Sequence, residues 1–584
     1  MKRIVNELLA FSCMLLAVSC ADYNDLGGFS AEPDPSYTNE YGDLASVKSY
    51  LNRNDYPNMS MQASMTLANF NKQGRDHAVA VTNFDGVDFG YSFMPENYIS
   101  KKGYMNFMDF KDAIGHAAAI NLPVFGSPIV ANEQQSDVWF EALTAPIEVQ
   151  VLPINDTDVD YSTMDEWHGT SLRGTPVIVK NFDDKGNALK IPKRSKPYIV
   201  EGFDVDTKGF YTITFTVRGY KDEKMTEMPN EENINCTFAD SLVNTGMDKN
   251  KKLIAKSFTI RPGSWQTVKV EWVPAKAATQ GYLMIEGNLN TILYIRNVHV
   301  EHTPDNHRDQ TKDEKNANIR IGLEKWCDGL MQANAGRIKT FALVDKALND
   351  NEVLDGVTYE GENVLDLKHS TDKIFWQDYL DEGSKSGSEL YAATVSKVAK
   401  AAFEKHGGNA EELKFFISET GLEKKQRLAS LKYWIGVWEG NGAQIDGING
   451  ELNLSYSEDA TTQAANMAMV NTLFDNLAAT QKQIRIFNFD IKYLDAEGTA
   501  ITADKITKEQ RQKLADYYAY VIKAYMTKIP SAQQAGICKG SFFDLSKTPD
   551  DGKGDPVGLW SKAANGDWVR NATYESFCNA LSGK

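Results

Sequence analysis

The chain is poor in cysteine, in clustered basic residues and in long apolar runs, and each shortage removes a class of function. Cys236, Cys327, Cys538 and Cys578 stand far apart, with no CxxC spacing and no Cys/His cluster. No metal site is expected from them, and no cofactor is implied. Cys538 and Cys578 are open to two readings, a pair or two buried free thiols. Positive charge is in deficit: 62 Lys and Arg against 79 Asp and Glu leave a net charge of −17, and the basic residues form no cluster. Nucleic acid is therefore not an expected partner. The apolar run Leu8 to Val18 is too short to cross a bilayer. What the chain does have is length: 584 residues are enough for two or three domains with full-sized cores. Aromatic content of 11% suits a sugar-handling protein, but suits any large β-containing protein nearly as well.

Lys2 and Arg3 precede the short apolar run, the arrangement of a signal peptide over residues 1–20. The run ends Ala17-Val18-Ser19-Cys20, small residues before a cysteine. This resembles a bacterial lipobox and implies lipidation of Cys20, with the membrane as a partner through that anchor. Asp22 and Asp25 follow, a flank that resembles the surface-export signal of some Gram-negative lipoproteins. An outer-membrane, cell-surface location is expected. Residues 21–60 are polar, carry Pro33, Pro35 and Pro57, and read as a tether leading into a first helix.

Two textures follow. Ala78–Val81 and Gly86–Gly90 read as short buried strands, and Leu413–Glu419 as a longer one. Residues 319–335, 463–481 and 508–528 carry apolar positions at helical spacing. Gln483–Ile491 is an apolar run that ends in polar groups, as a buried parallel strand does when it opens into a barrel mouth. Between 146 and 304 the period changes to two, over Tyr211–Val217, Ser257–Ile260, Thr267–Val273, Tyr282–Glu286 and Ile292–Val300, with turns such as Pro262-Gly263. The expected fold is α/β: a (β/α)8 TIM barrel interrupted by an inserted all-β jelly-roll sandwich. The barrel takes 61–145 and 305–584, and the insertion takes 146–304.

Particular motifs sharpen this. Ile484-Arg485-Ile486 with Asp490 resembles I-R-I-T-E-L-D, the nucleophile strand of glycoside hydrolase family 10, the xylanases. Lys102–Ile114 resembles R-G-x-F-N-F and the helix after it, and Leu122–Asn132 sits where the family has V-R-G-H-T-L-V-W-H. Phe375–Leu380, Leu413–Glu419, Trp438-Glu439, Ile445–Ile448 and Gly558–Trp560 resemble further family elements in the right order. Gly263–Thr267 and Leu293–Val298 are similar to a family 4 carbohydrate-binding module.

The resemblance implies an altered site. The nucleophilic Glu falls on Asn488 and the acid/base Glu on Lys346, after Asp345. Neither an amide nor an ordinary ammonium replaces a carboxyl group in retaining glycoside hydrolysis. The family's Gln and His fall on Glu451 and Asn453, and its V-R-G-H-T-L-V-W-H histidines on Ser127 and Asn132, while the sugar-gripping segment falls on Gly90–Pro95. Substrate-binding candidates are Asp345, Glu419, Glu451, Asn453, Asp490 and Asn132. Lys346 is expected to pair with Asp345, Asp490 or Glu419. Trp376, Trp434, Trp438 and Trp560 are expected to pack helices on the barrel. Tyr198, Phe203, Tyr211, Tyr282 and Tyr294 are candidates for a sugar platform, half or more of them core. The implied function is a lipid-anchored glycan-binding protein with an inactive xylanase-like barrel. Its partner would be xylan or a related plant polysaccharide, and an outer-membrane glycan importer and true hydrolases are further partners by analogy. The alternative is a divergent hydrolase with relocated carboxylates drawn from Asp345, Glu419, Glu451 and Asp490.

Overall fold

The apolar stretch around Ile484 and Ile486 forms a strand over Gln483–Phe487 whose neighbours on both sides run parallel to it. We describe the fold from a computed structural model covering residues 40–239, 254–261, 264–370 and 372–583. The signal peptide, Cys20 and the Pro262-Gly263 turn lie outside these residues. The chain divides into two compact units, one of residues up to 145 and from 311 onward, the other of 146–310.

The first unit is α/β, built on a large curled sheet of parallel strands. Met61–Ser64 pairs with Gly86–Asp88, which pairs with Val124–Phe125. In the other direction the sheet continues through Gln534–Lys539, Gln483–Phe487, Gly447–Glu451, Lys414–Thr420 and Thr340–Asp345. The two ends meet. Gly126 N–H donates to Thr340 O, and Ala342 N–H donates to Gly126 O. A Cβ at Gly126 would lie 2.1 Å from the Phe341 ring, so only glycine lets the strands approach here. Helices such as Lys312–Asn334, Gly387–Lys405 and Lys508–Lys528 alternate with the strands, each opened by a reciprocal capping box (Thr311/Glu314, Ser386/Glu389, Thr507/Gln510). Trp376, Trp434, Trp438 and Trp560 are buried in the core between helices and sheet. Among the described residues no helix is long and apolar enough to cross a membrane.

Three local expectations change. Ala78–Val81 lies inside a helix, Arg75–Asn83. Its alternating Ala and Val also place Val79, Ala80 and Asn83 on one buried helical face, and that spacing wins. The stretch expected as tether contributes Val47, Leu51 and Met59 to the apolar core, and it leads into the strand Met61–Ser64 rather than a helix. An unexpected antiparallel hairpin, Leu348–Tyr359 with Glu362–Leu367, follows directly after Lys346.

The second unit is antiparallel throughout. One sheet runs Gln266–Trp272, Phe210–Tyr220, Ile292–Thr303, Gly186–Ile191, Val177–Asp183, with Ile154–Asp160 also paired to Ile292–Thr303. The other runs Ile254–Ile260, Glu232–Ala239, Gln280–Glu286, Tyr198–Asp204. Their facing sides share one apolar core, with Ile213, Phe215 and Val300 from the first sheet and Ile234, Leu283 and Ile285 from the second. Ile147–Glu148 pairs with His307–Arg308 and so carries the unit six residues past the boundary read at 304. Tyr198, Phe203, Tyr211, Tyr282 and Tyr294 are all buried. Their rings fill the unit's apolar clusters, and none offers an open face to a sugar.

Candidate functional site

Strand parity decides what the mouth of the curled sheet contains, because alternate side chains point inward. Arg485 points inward and is fully buried. Its guanidinium donates to Gln62 Oε1 (2.6 and 2.9 Å), Asn449 Oδ1 (2.6 Å) and Asp88 Oδ2 (2.7 Å), and lies 3.8 Å from the centre of the Phe125 ring. Asn449 passes the network on to Ser418 Oγ at 2.8 Å. The charge is thus paired and hydrogen-bonded, the condition for tolerating it in a core. Above this layer lies a cavity of about 30 Å³ lined by Tyr91, Ser127, Asp345, Ser418, Asn449 and Phe487, among others. It has room for about one water.

Asp345 ends the Thr340–Asp345 strand, 3% exposed, and accepts a 2.5 Å hydrogen bond from the Tyr91 hydroxyl. Burial pushes its pKa up to about 7. Tyr91 and the Lys346 charge pull the other way, and Glu419 and Glu451 add to the rise. Tyr91 itself is raised, by burial first and then by Asp345. Lys346 and Asn488 both adopt left-handed backbone, φ 46° and 52°, which turns each side chain off its strand's end. Lys346 Nζ lies 2.9 Å from Glu451 Oε2, and Asn488 Nδ2 donates to Glu451 Oε1 at 2.5 Å. Burial works against the Lys346 charge, but Asp345 and Glu451 outweigh it and hold its pKa above the ordinary value.

The partner of Lys346 is therefore Glu451, not Asp345, Asp490 or Glu419. The other expected acids are engaged elsewhere. Glu419, next to the inward Ser418, points away from the mouth, where it takes Arg427 Nη2 at 2.9 Å and the Leu348 N–H at 3.2 Å. Asp490 accepts from the buried Lys539 ammonium and from the Ser541 N–H at 3.1 Å; burial lowers the Lys539 pKa, opposed by Asp490. Asn453 is exposed and donates to Thr420 Oγ1 at 3.3 Å. Asn132 is buried with neither amide atom partnered, as is the Ser127 hydroxyl. Of the expected candidates, the structure gathers Asp345, Lys346, Glu451 and Asn488. It adds Tyr91, which the sequence had marked only as part of the Gly90–Pro95 segment. Cys236, Cys327, Cys538 and Cys578 are buried free thiols, which decides the open Cys538/Cys578 reading.

Fold and site together define a parallel β/α protein whose mouth is organised around one shared carboxylate, with a second, all-β unit inserted. No family profile and no curated protein matches the sequence. Among solved structures the chain is similar to family 10 xylanases at low identity. Xylanase B from Clostridium stercorarium F9 is 10% identical with a TM-score of 0.48, covering 92% of this chain and 100% of that one. Penicillium canescens endo-1,4-beta-xylanase XylE is 11% identical with a TM-score of 0.47, covering 93% and 98%.

Proposed function

We propose that this is a glycan-binding protein whose barrel does not cut its ligand. The observation that carries the reading is Glu451, held at once by Lys346 and Asn488. Retaining hydrolysis needs two carboxyl groups about 5–5.5 Å apart, one to attack and one to move a proton. Here an amine and an amide stand at the two positions, and one carboxylate between them is bound by both. The space beneath holds about one water, so a sugar ring would lie across the mouth rather than in it. The choice of xylan or a related β-linked plant polysaccharide rests on the sequence motifs. Anchorage through Cys20, an outer-membrane surface location, and work beside a glycan importer and hydrolases rest on the lipobox and on analogy. The reading of the second unit as a jelly-roll carbohydrate-binding module rests on its period-two strands and on the resemblance of Gly263–Thr267 and Leu293–Val298.

One observation favours a second reading. Asp345, pushed up to about 7, has the acidity of a general acid at neutral pH, and a divergent hydrolase could pair it with Glu451. A single pair of measurements separates the two: retention of the full chain on insoluble xylan and other β-linked polysaccharides, and reducing-sugar release from the same panel. Retention without release is expected. Release by the unmodified chain would establish the second reading in place of the first, and absence of retention on every polysaccharide would end the binding proposal.

A further inference from the structure

His77 on the helix Arg75–Asn83 meets His116 on the helix Met108–Ala119 nitrogen to nitrogen. Their Nε2 atoms lie 2.9 Å apart and their ring centres 5.0 Å apart. This near head-on approach is a hydrogen bond in which one ring donates and the other accepts. It needs one proton between the two nitrogens, and a second proton there breaks it. Two N–H groups would then point at each other, each on a charged ring. No nearby carboxylate is free to offset that charge. Asp76, beside His77, takes Asn69 and Arg75, each at 3.3 Å, and Asp88 takes Arg485. Arg75 also reaches Asp550, and Lys48 donates to the Val81 carbonyl. Asp109, Lys111 and Asp112, on the helix of His116, are exposed, and the neighbouring helix Leu67–Asn71 has no titratable residue. The helix Lys312–Asn334 offers Trp326 to Phe107, and its Asp328 is taken by Lys405 and His406.

A short chain of rings joins this pair to the mouth. Phe70 packs on His77 and His116, at 4.9 and 5.4 Å between centroids, and on Phe89 at 5.0 Å. Phe89 opens the turn that carries Tyr91, and Phe93 ends it, 4.5 Å from Phe110 on the helix of His116. The turn is thus clamped by Phe70, which rests on both histidines, and by Phe110, which moves with one of them. Within it the Tyr91 hydroxyl holds Asp345. We propose that His77 and His116 form a pH-sensitive latch on the mouth. With one proton in the bond the latch is closed and the turn Phe89–Phe93 is fixed. A second proton on acidification parts the two helices, loosens the turn and lets Tyr91 leave Asp345. His77 is held below the ordinary imidazole value of 6.5, by burial and then by His116. The closed state is therefore complete above that value and is lost as pH falls below it. The bearing on ligand binding rests on the mouth being the glycan site; the latch itself does not.

The test measures amide hydrogen exchange of the full chain at about pH 7.5 and about pH 5, corrected for the intrinsic rate at each. Ser92 N–H donates to Phe89 O and Met94 N–H to Tyr91 O, so peptides spanning 84–94 report on the turn. They are expected to exchange at least tenfold faster at the lower pH. His116→Gln, uncharged at both values, is expected to abolish the step. No step in the wild type, or an equal step in the variant, would overturn the proposal. If the variant does not fold, the wild-type imidazole C–H resonances decide. Two well-separated, coupled titration steps are expected, and two independent titrations at the ordinary value would overturn the latch. Retention on polysaccharide is read beside the exchange: a chain that shows the step yet binds no polysaccharide at either pH keeps the latch and loses the glycan reading.

Discussion

Lys346 and Asn488 are joined through a single carboxylate: the ammonium lies 2.9 Å from one Glu451 oxygen and the amide donates to the other across 2.5 Å. Both residues hold left-handed backbone at the ends of their strands. Glu451→Gln keeps the shape but removes the charge that both partners face, in a site where Lys346 and Glu451 are mostly buried. It is expected to cost about 1–3 kcal/mol. A double-mutant cycle with Lys346→Met, read by thermal melts, should show that the two losses are less than additive. Full additivity would mean that the contact carries no energy.

The backbone at 346 predicts an inverted ranking of small side chains. With φ at 46°, Ala there keeps the strain of a Cβ in the left-handed region while losing the ion pair. Lys346→Gly loses the same ion pair but relieves that strain. Lys346→Gly should therefore be more stable than Lys346→Ala by about 1 kcal/mol, the reverse of the usual order, as measured by their melting temperatures.

Asp345 should make folding pH-dependent in a defined direction. Its carboxyl is raised from 3.8 to about 7 by burial. Below about pH 4 the folded and unfolded chains both carry the proton. Between 4 and 7 only the folded chain does, so stability falls as pH rises, by about 1.4 kcal/mol per unit from this group. Above pH 7 the penalty is constant. Asp345→Asn removes the titration, so its stability relative to wild type should climb from pH 4 to 7 and then level off. A flat difference would show that Asp345 is ionised throughout.

Arg485 is fully buried and holds three polar partners, so it tolerates replacement poorly. Arg485→Met leaves Asp88, Gln62 and Asn449 without the donors they face. Removing one partner of a buried ion pair costs about 3–5 kcal/mol. The variant should melt far below wild type or fail to accumulate, and Arg485→Lys should recover little, because an ammonium lacks the fork that reaches three partners.

The second unit should be separable. Ile147–Glu148 and His307–Arg308 pair antiparallel, and Val149 N–H donates to Asn306 O at 2.7 Å, so the two ends of the insertion lie side by side. Residues 146–310 expressed alone should give antiparallel β circular dichroism and one cooperative melt. The rest of the chain, closed by a short Gly/Ser linker, should keep a melt of its own. If neither piece melts cooperatively, the division into two units is wrong.

The sequence made the strands and long helices legible where one period dominated. The helix read at 508–528 has those ends, Lys508–Lys528, because its apolar positions hold helical spacing throughout. Ala78–Val81 misled because a four-residue alternation of small side chains fits a helix face as well as a strand. The hairpin at 348–367 left no apolar alternation to read: most of its first strand is exposed. The positions 345, 346, 451 and 488 were visible as strand ends, yet the partner of Lys346 was not. A lysine reaches past the adjacent strand, and which acid it finds depends on parity: Glu451 shares the inward side with Asn449, whereas Glu419 lies one residue past the inward Ser418 and turns toward Arg427.

The reach of Arg485 also sets an order of events during synthesis. Its guanidinium gathers Gln62 and Asp88 from the start of the chain, separated from it by 423 and 397 positions. Until residue 485 leaves the ribosome, Asp88 has no cation to hold it in the interior, and the early strands stay an open, unsealed fragment. The all-β unit, finished by 310, is free to fold first while the curled parallel sheet waits for the strand Gln483–Phe487.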